Sequence, residues 1–65
     1  MNWTQIEGNW DELRGKIRQR WGELTDDDLE QIKGRRDRLI GKLKERYGEG
    51  AEQIGDRVDR FIDSL

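Results

Sequence analysis

The 65-residue sequence has no cysteine, no histidine and no proline. Without cysteine there is no disulfide, and without cysteine or histidine no zinc finger, so the usual supports of a small scaffold are missing. The same absences remove the commonest partners of an activated nucleophile. The only serine is Ser64, close to the end of the sequence. The longest apolar runs are pairs such as Leu39-Ile40, so neither a membrane span nor a signal peptide is expected. Apolar residues make up only 31% of the chain against 43% charged, and the mean hydropathy is −1.21. An ordinary globular domain reaches ~45–50% apolar residues with glycine counted. A chain this short also buries only ~60% of the surface its unfolded form exposes. Thirteen basic and 15 acidic residues nearly cancel, which is not the high net charge that forces disorder. Composition describes one small, soluble, marginally stable cytoplasmic domain, and names no reaction.

What is present is helical periodicity. Trp3, Ile6, Trp10, Leu13, Ile17 and Trp21 recur at three- and four-residue steps and draw one stripe down an amphipathic helix. One long first helix is expected, capped by Asn2, with Met1 and Ile6 as a hydrophobic staple and Gly22 as a left-handed C-cap. The sharpest start signal comes next. Thr25 can accept from the amide of Asp28, and Asp26, Asp27 and Asp28 place negative charge where a helix has unpaired N–H groups. Leu24 and Leu29 bracket that cap as a second staple. A short helix should end at Gly34. A third should run from about Arg35 to Gly48 with Leu39, Ile40, Leu43 and Tyr47 inward. The fourth should present Ala51, Ile54, Val58, Phe61, Ile62 and Leu65 on one side. No stretch alternates with period two, so the fold class is all-α.

Shifting residues 3–23 by 26 positions onto 29–49 matches ten of the 21, among them Gly8/Gly34, Leu13/Leu39, Gly15/Gly41, Lys16/Lys42, Arg20/Arg46 and Gly22/Gly48. Trp21/Tyr47 is a conservative pair. A unit of this size cannot bury its apolar stripe alone, which points to two helical hairpins packed face to face in a small four-helix bundle. Gly15 and Gly41 sit in mid-helix, where each costs ~1 kcal/mol relative to alanine. Close approach of crossing helices is the expected reason. Trp21, Tyr47 and Trp3 are expected in the core. Trp10, matched by Arg36 in the repeat, belongs to the core stripe but is also a candidate partner contact.

No catalytic constellation emerges. Carboxylate neighbours such as Asp11 and Glu12 sit among basic residues on a solvated face, which supplies no desolvation to raise a pKa. The Asp26–Asp28 run lacks the spaced ligands, glycine and distal glutamate of a calcium loop, and no glycine-rich phosphate loop is present. No cofactor, metal or small-molecule substrate is expected. Charge distribution is the remaining lead. Residues 1–32 sum to −4, residues 33–46 to +5 and the rest to −3. The basic stretch holds Lys33, Arg35, Arg36, Arg38, Lys42, Lys44 and Arg46, which could contact phosphates or anionic lipid head groups. Against that stand a pI near 5.1 and the absence of aromatics interleaved with the basic residues to stack bases. The competing expectation is that these cations pair with neighbouring helices.

At Gly8-Asn9-Trp10, Gly15-Lys16, Trp21-Gly22 and Leu24-Thr25-Asp26-Asp27-Asp28, the sequence resembles the CsbD-like (YjbJ-like) family of bacterial general stress proteins. The likeness continues through Gly34, Arg36-Asp37, Leu39, Gly41-Lys42, Glu45-Arg46-Tyr47-Gly48 and Val58-Asp59, and so covers nearly the whole chain. After Tyr47 the chain is more apolar than the Lys/Glu-rich ends of that family. The resemblance implies a four-helix, SAM-like bundle of two hairpins and expression under stationary-phase, osmotic or envelope stress. It supplies no catalytic site. The composition also resembles that of the hydrophilins, which are linked to water-deficit tolerance. The function expected is therefore a non-enzymatic, protective or weakly interacting stress protein, monomeric and cytoplasmic. The alternative is a binding module that uses the basic helix on nucleic acid or anionic membrane.

Overall fold

Two short polar motifs set where the chain begins to coil. Asn2 Oδ1 accepts from the Gln5 amide at 2.8 Å while Gln5 Oε1 accepts from the Asn2 amide at 3.1 Å. Thr25 and Asp28 repeat the exchange, each bond 3.1 Å long. Each box satisfies two backbone donors that a helix start otherwise leaves open. The computed structural model, which describes residues 1–65, has five helices and no strand: α1 (Trp3–Gly8), α2 (Trp10–Arg20), α3 (Asp26–Ile32), α4 (Arg36–Tyr47) and α5 (Ala51–Asp63). The expected all-helical class is present.

The single long first helix is not. It breaks at Gly8-Asn9, and the four expected helices become five. Asn9 leaves helical geometry at φ −113°, ψ 25°, and both its backbone amide and its side-chain amide turn back to the Gln5 carbonyl. Glycine and asparagine are weak helix formers, so the break falls where the backbone resists least. Its consequence is Trp10, which swings inward to 7% exposure and donates its indole N–H to the Leu29 carbonyl at 3.0 Å. That bond joins α2 to α3.

Thirteen buried apolar side chains, drawn from all five helices and the Trp21–Leu24 turn, form one cluster. Leu24 and Leu29 are buried on either side of the Thr25 cap, as the staple requires. Met1, the expected staple partner of Ile6, is 44% exposed. Trp3, Ile40, Phe61 and Leu65 are half-buried against the cluster, and Ala51 is exposed. Tyr47 is not in the core. It is 39% exposed and its hydroxyl accepts from the Glu23 amide at 3.2 Å, tying the end of α4 to the turn after α2. Trp21, its repeat equivalent, is buried with its ring edge-on to Phe61 of α5, centroids 5.2 Å apart. α5 thus covers the Trp21 ring through Phe61.

The glycines also sort differently from expectation. Gly48, where the third helix was expected to end, closes α4 as a left-handed cap at φ +69°. Gly22 is no such cap, because α2 ends through Trp21 at φ −126°. α3 closes on Lys33, left-handed at φ 48°, one residue before Gly34. No helix crosses at Gly15 or Gly41, since a Cβ at either would meet nothing within 4 Å. The close approach is at Gly34, φ +79°, where a Cβ would lie 2.6 Å from the Glu7 Cα. That contact presses the α3–α4 joint onto α1. The Cα radius of gyration is 10.6 Å, as a compact chain of this length requires (~11 Å).

Candidate functional site

The basic stretch was the one lead to a binding face, and the structure places its side chains one by one. Arg36, in the first turn of α4, forms a two-pronged pair with Asp59 of α5, at 2.8 and 2.9 Å. Arg46, in the last turn, grips Asp28 of α3 the same way at 2.9 and 3.0 Å. Lys42 stands 3.8 Å from the same carboxylate and 3.6 Å from Glu45. Arg35 reaches Glu7 of α1 at 3.5 Å. Arg38 donates to the Gln31 carbonyl at 3.2 Å. Only Lys33 and Lys44 have neither an ion pair nor a side-chain hydrogen bond. Four of the seven cations therefore neutralise acids on α1, α3, α4 and α5, and one satisfies a backbone carbonyl.

Asp28 is the centre of this arrangement. It is 2% exposed, yet it accepts from Thr25 and twice from Arg46. The Arg46 hydrogen bonds hold its carboxyl down from 3.8 to about 2, against the upward push of burial. Arg46 is raised in return, chiefly by its hydrogen bonds to Asp28. Asp59 is lowered by Arg36 and Arg36 raised by Asp59, through the same kind of bond. These shifts report fixed ionisation, the reverse of a general acid or base tuned toward neutrality. A buried carboxylate held by two cations is a structural clamp.

Between α3 and α4 runs an open groove of about 690 Å³, lined by Asp27, Glu30, Gln31, Lys33, Arg38, Gly41, Lys42 and Glu45. No apolar side chain lines it, and its three cations face three carboxylates, so it has no net field for an anion. Asp26, Asp27 and Asp28 diverge: Asp26 pairs with Arg18 and Asp28 with Arg46. Nowhere do three potential metal ligands converge. Trp10, the aromatic candidate for a partner contact, is in the core and unavailable. Sequence reasoning missed Asp28 as a clamp because it assigned that residue to the cap alone. A signal was there, because an acid at the fourth residue of T-D-D-D lies on the inward side with Leu29 and Ile32.

Helices laced by cross-helix ion pairs around a small apolar core define a compact all-helical domain. A family model described as CsbD-like matches residues 4–56, and the chain belongs to that family. The match stops within α5. Among curated relatives, a UPF0337 protein of Rhizobium meliloti (strain 1021) is 55% identical over 31 residues, which is 48% of this chain and 45% of that protein. One of Rhodopirellula baltica is 62% identical over 29 residues, 45% of this chain and 43% of its own. One of Pseudomonas aeruginosa is 60% identical over 30 residues, 46% of each. The chain thus spans a little under half the length of the curated relatives it matches. No solved structure matches. No helix is long and apolar enough to cross a membrane.

Proposed function

We propose that the chain is a non-enzymatic stress-tolerance domain, monomeric and cytoplasmic, which protects other macromolecules through weak contacts. Membership of the CsbD-like family supports the link to general stress. The observation that carries the reading is the fate of the charges. Charged residues make up 43% of the chain, and they form a mixed-sign surface in which cross-helix pairs such as Arg36–Asp59 and Arg46–Asp28 recur. The two repeat halves are read as copies of one unit, packed as hairpins in a bundle that α5 completes. In support, residues 10–20 are α2 and their equivalents 36–46 lie in α4.

The test is recovery of lactate dehydrogenase activity after drying and rehydration, with the protein compared against an equal mass of lysozyme. Greater recovery with this chain is expected, and equal recovery counts against protection. The alternative, a nucleic-acid or membrane module on the Lys33–Arg46 helix, has only Lys33, Arg38 and Lys44 without an acidic partner. Phosphate neutralisation by a face with many free cations gives a steep salt slope. Tight, steeply salt-dependent binding to duplex DNA or to phosphatidylglycerol vesicles would favour that module instead.

A further inference from the structure

Lys42 and Arg46 of α4, one turn apart, hold Asp28 between them, Arg46 through bonds of 2.9 and 3.0 Å and Lys42 at 3.8 Å. Their repeat equivalents 26 positions earlier are Lys16 and Arg20 of α2, also one turn apart. Residues four apart on a helix share a face, so the first half carries the same pair of cations. It does not carry the acid. The position 26 residues before Asp28 is Asn2, whose Oδ1 accepts from the Gln5 amide to cap α1. Neither Lys16 nor Arg20 forms an ion pair with any acid of the chain. The second half has a filled clamp and the first half an open one.

The surroundings of the open pair are not plain basic surface. Lys16, Gln19 and Arg20 form one wall of an open groove of about 430 Å³, and Phe61 of α5 and Leu65 just beyond it form the other. Both apolar residues are half-buried, so the contact they leave to solvent suits one side chain rather than a long alkyl chain. Arg20 is steadied 5.2 Å over the centre of the Trp21 ring, a contact that leaves its in-plane donors free. Glu12 and Glu23, the acids nearest to the pair along the chain, are exposed and pair with neither cation. Asp63 lies two residues from both Phe61 and Leu65, and residues two apart do not face the same way.

We propose that the Lys16–Arg20 groove docks an acidic–apolar segment of a partner protein. A carboxylate of that segment is taken by the two cations, and a neighbouring apolar side chain lies against Phe61 and Leu65. The filled clamp supplies the pattern, because Asp28 meets Lys42 and Arg46 while the next residue, Leu29, is buried in the apolar cluster. A carboxylate matches the arginine fork through two parallel bonds, as Asp28 does at Arg46. Phe61 and Leu65 lie beyond residues 4–56 that match the family, so the apolar wall comes from the segment outside that match. Two exposed cations and one apolar contact make the interaction weak, reversible and sensitive to salt. It goes beyond the protective reading and does not depend on it.

The probe is the acetylated, amidated peptide Asp-Asp-Asp-Leu, the sequence of Asp26–Leu29, titrated into the full chain at low salt while amide NMR shifts are followed. Shifts should gather at Lys16, Arg20, Phe61 and Leu65. Lys16→Gln with Arg20→Gln should weaken binding about fivefold or more. Lys33→Gln with Lys44→Gln removes the same charge from cations that also lack an ion pair, and should leave binding unchanged. The peptide Asn-Asn-Asn-Leu should not bind, and Asp-Asp-Asp-Ser should bind several-fold less tightly. No binding of the probe, or equal losses from the two double variants, overturns the inference. So does sodium acetate that reproduces the shifts at equal ionic strength, or a serine peptide that binds as well as the leucine one. Octanoate binding more tightly than the probe would assign the groove to alkyl carboxylates and overturn the protein partner.

Discussion

The two repeat halves share their letters and differ in their surroundings. Trp10 is buried in the first half, while its equivalent Arg36 lies on the surface and clamps Asp59. Trp21 is buried against Phe61, while its equivalent Tyr47 faces solvent. Gly8 looks into open space, while Gly34 touches the α1 backbone. In the second pair the difference involves α5, which has no counterpart in the repeat and where Trp21 finds Phe61; in the first, Arg36 finds Asp59 on α5 while Trp10 is held by the Leu29 carbonyl of α3. Equivalence of sequence carries the helix over, but not the environment. Neighbouring elements, α1, α3 and α5, decide which copy of each residue is inside.

The comparison breaks first at the aromatic pair. Trp21→Ala should cost about 3–5 kcal/mol, a large share of the stability of a 65-residue domain, ~3–10 kcal/mol. Unfolding of much of the population is the expected result in circular dichroism. Tyr47→Phe removes one exposed hydrogen bond and should cost only ~0.5–1 kcal/mol. Similar losses from the two variants would show that the halves are packed alike. The glycines give a second contrast. Gly34→Ala meets both the Glu7 backbone and a left-handed φ, and should destabilise by about 3 kcal/mol. Gly8→Ala should be neutral or stabilise by up to ~1 kcal/mol. Denaturant midpoints decide between opposite signs.

Acid titration sharpens the role of Asp28, for which the first half has no equivalent. Its carboxyl is depressed to about 2 in the folded chain, below its ordinary ~3.9 in an unfolded one. The folded state therefore binds the proton more weakly. The stability this contributes is fully present above the unfolded value and is lost as pH falls through about 4 toward 2. Asp59, lowered by Arg36, acts in the same direction. Asp28→Asn should lower stability at pH 7 and flatten its decline below pH 4. An unchanged slope in the variant would remove Asp28 as the acid-sensitive clamp.

Local rules read from the sequence located most of the helices and their ends. The Thr25 and Asn2 caps, the Leu24–Leu29 staple and the helix end at Gly48 each depend on residues within five positions of one another, and all are found as expected. The break at Asn9 was available too, because the repeat aligns Gly8 with Gly34, where a helix end was already assigned. A continuous apolar stripe outweighed that register. Gly15 and Gly41 misled because a sequence shows the propensity a glycine gives up and not whether packing offsets it. The ion pairs lay further from view. Asp28 and Arg46 are 18 residues apart, and Arg36 and Asp59 are 23 apart, so their meeting follows from how helices pack. The basic run thus read as a possible binding face until its partners on other helices were placed.

Exchanging the unequal aromatics, Trp21→Tyr together with Tyr47→Trp, probes most directly whether α5 sets the two environments apart. Composition and repeat pattern stay the same, and only the assignment of each ring to its site changes. Tyrosine at position 21 leaves unfilled core volume, while tryptophan at 47 loses the bond to the Glu23 amide. Together these should cost about 2 kcal/mol. The thermal midpoint should fall by roughly 8–16 °C, since each kcal/mol shifts it by ~4–8 °C in a domain of this size. An unchanged midpoint would mean that the two sites are interchangeable, and that α5 does not divide the halves into a buried copy and an exposed one.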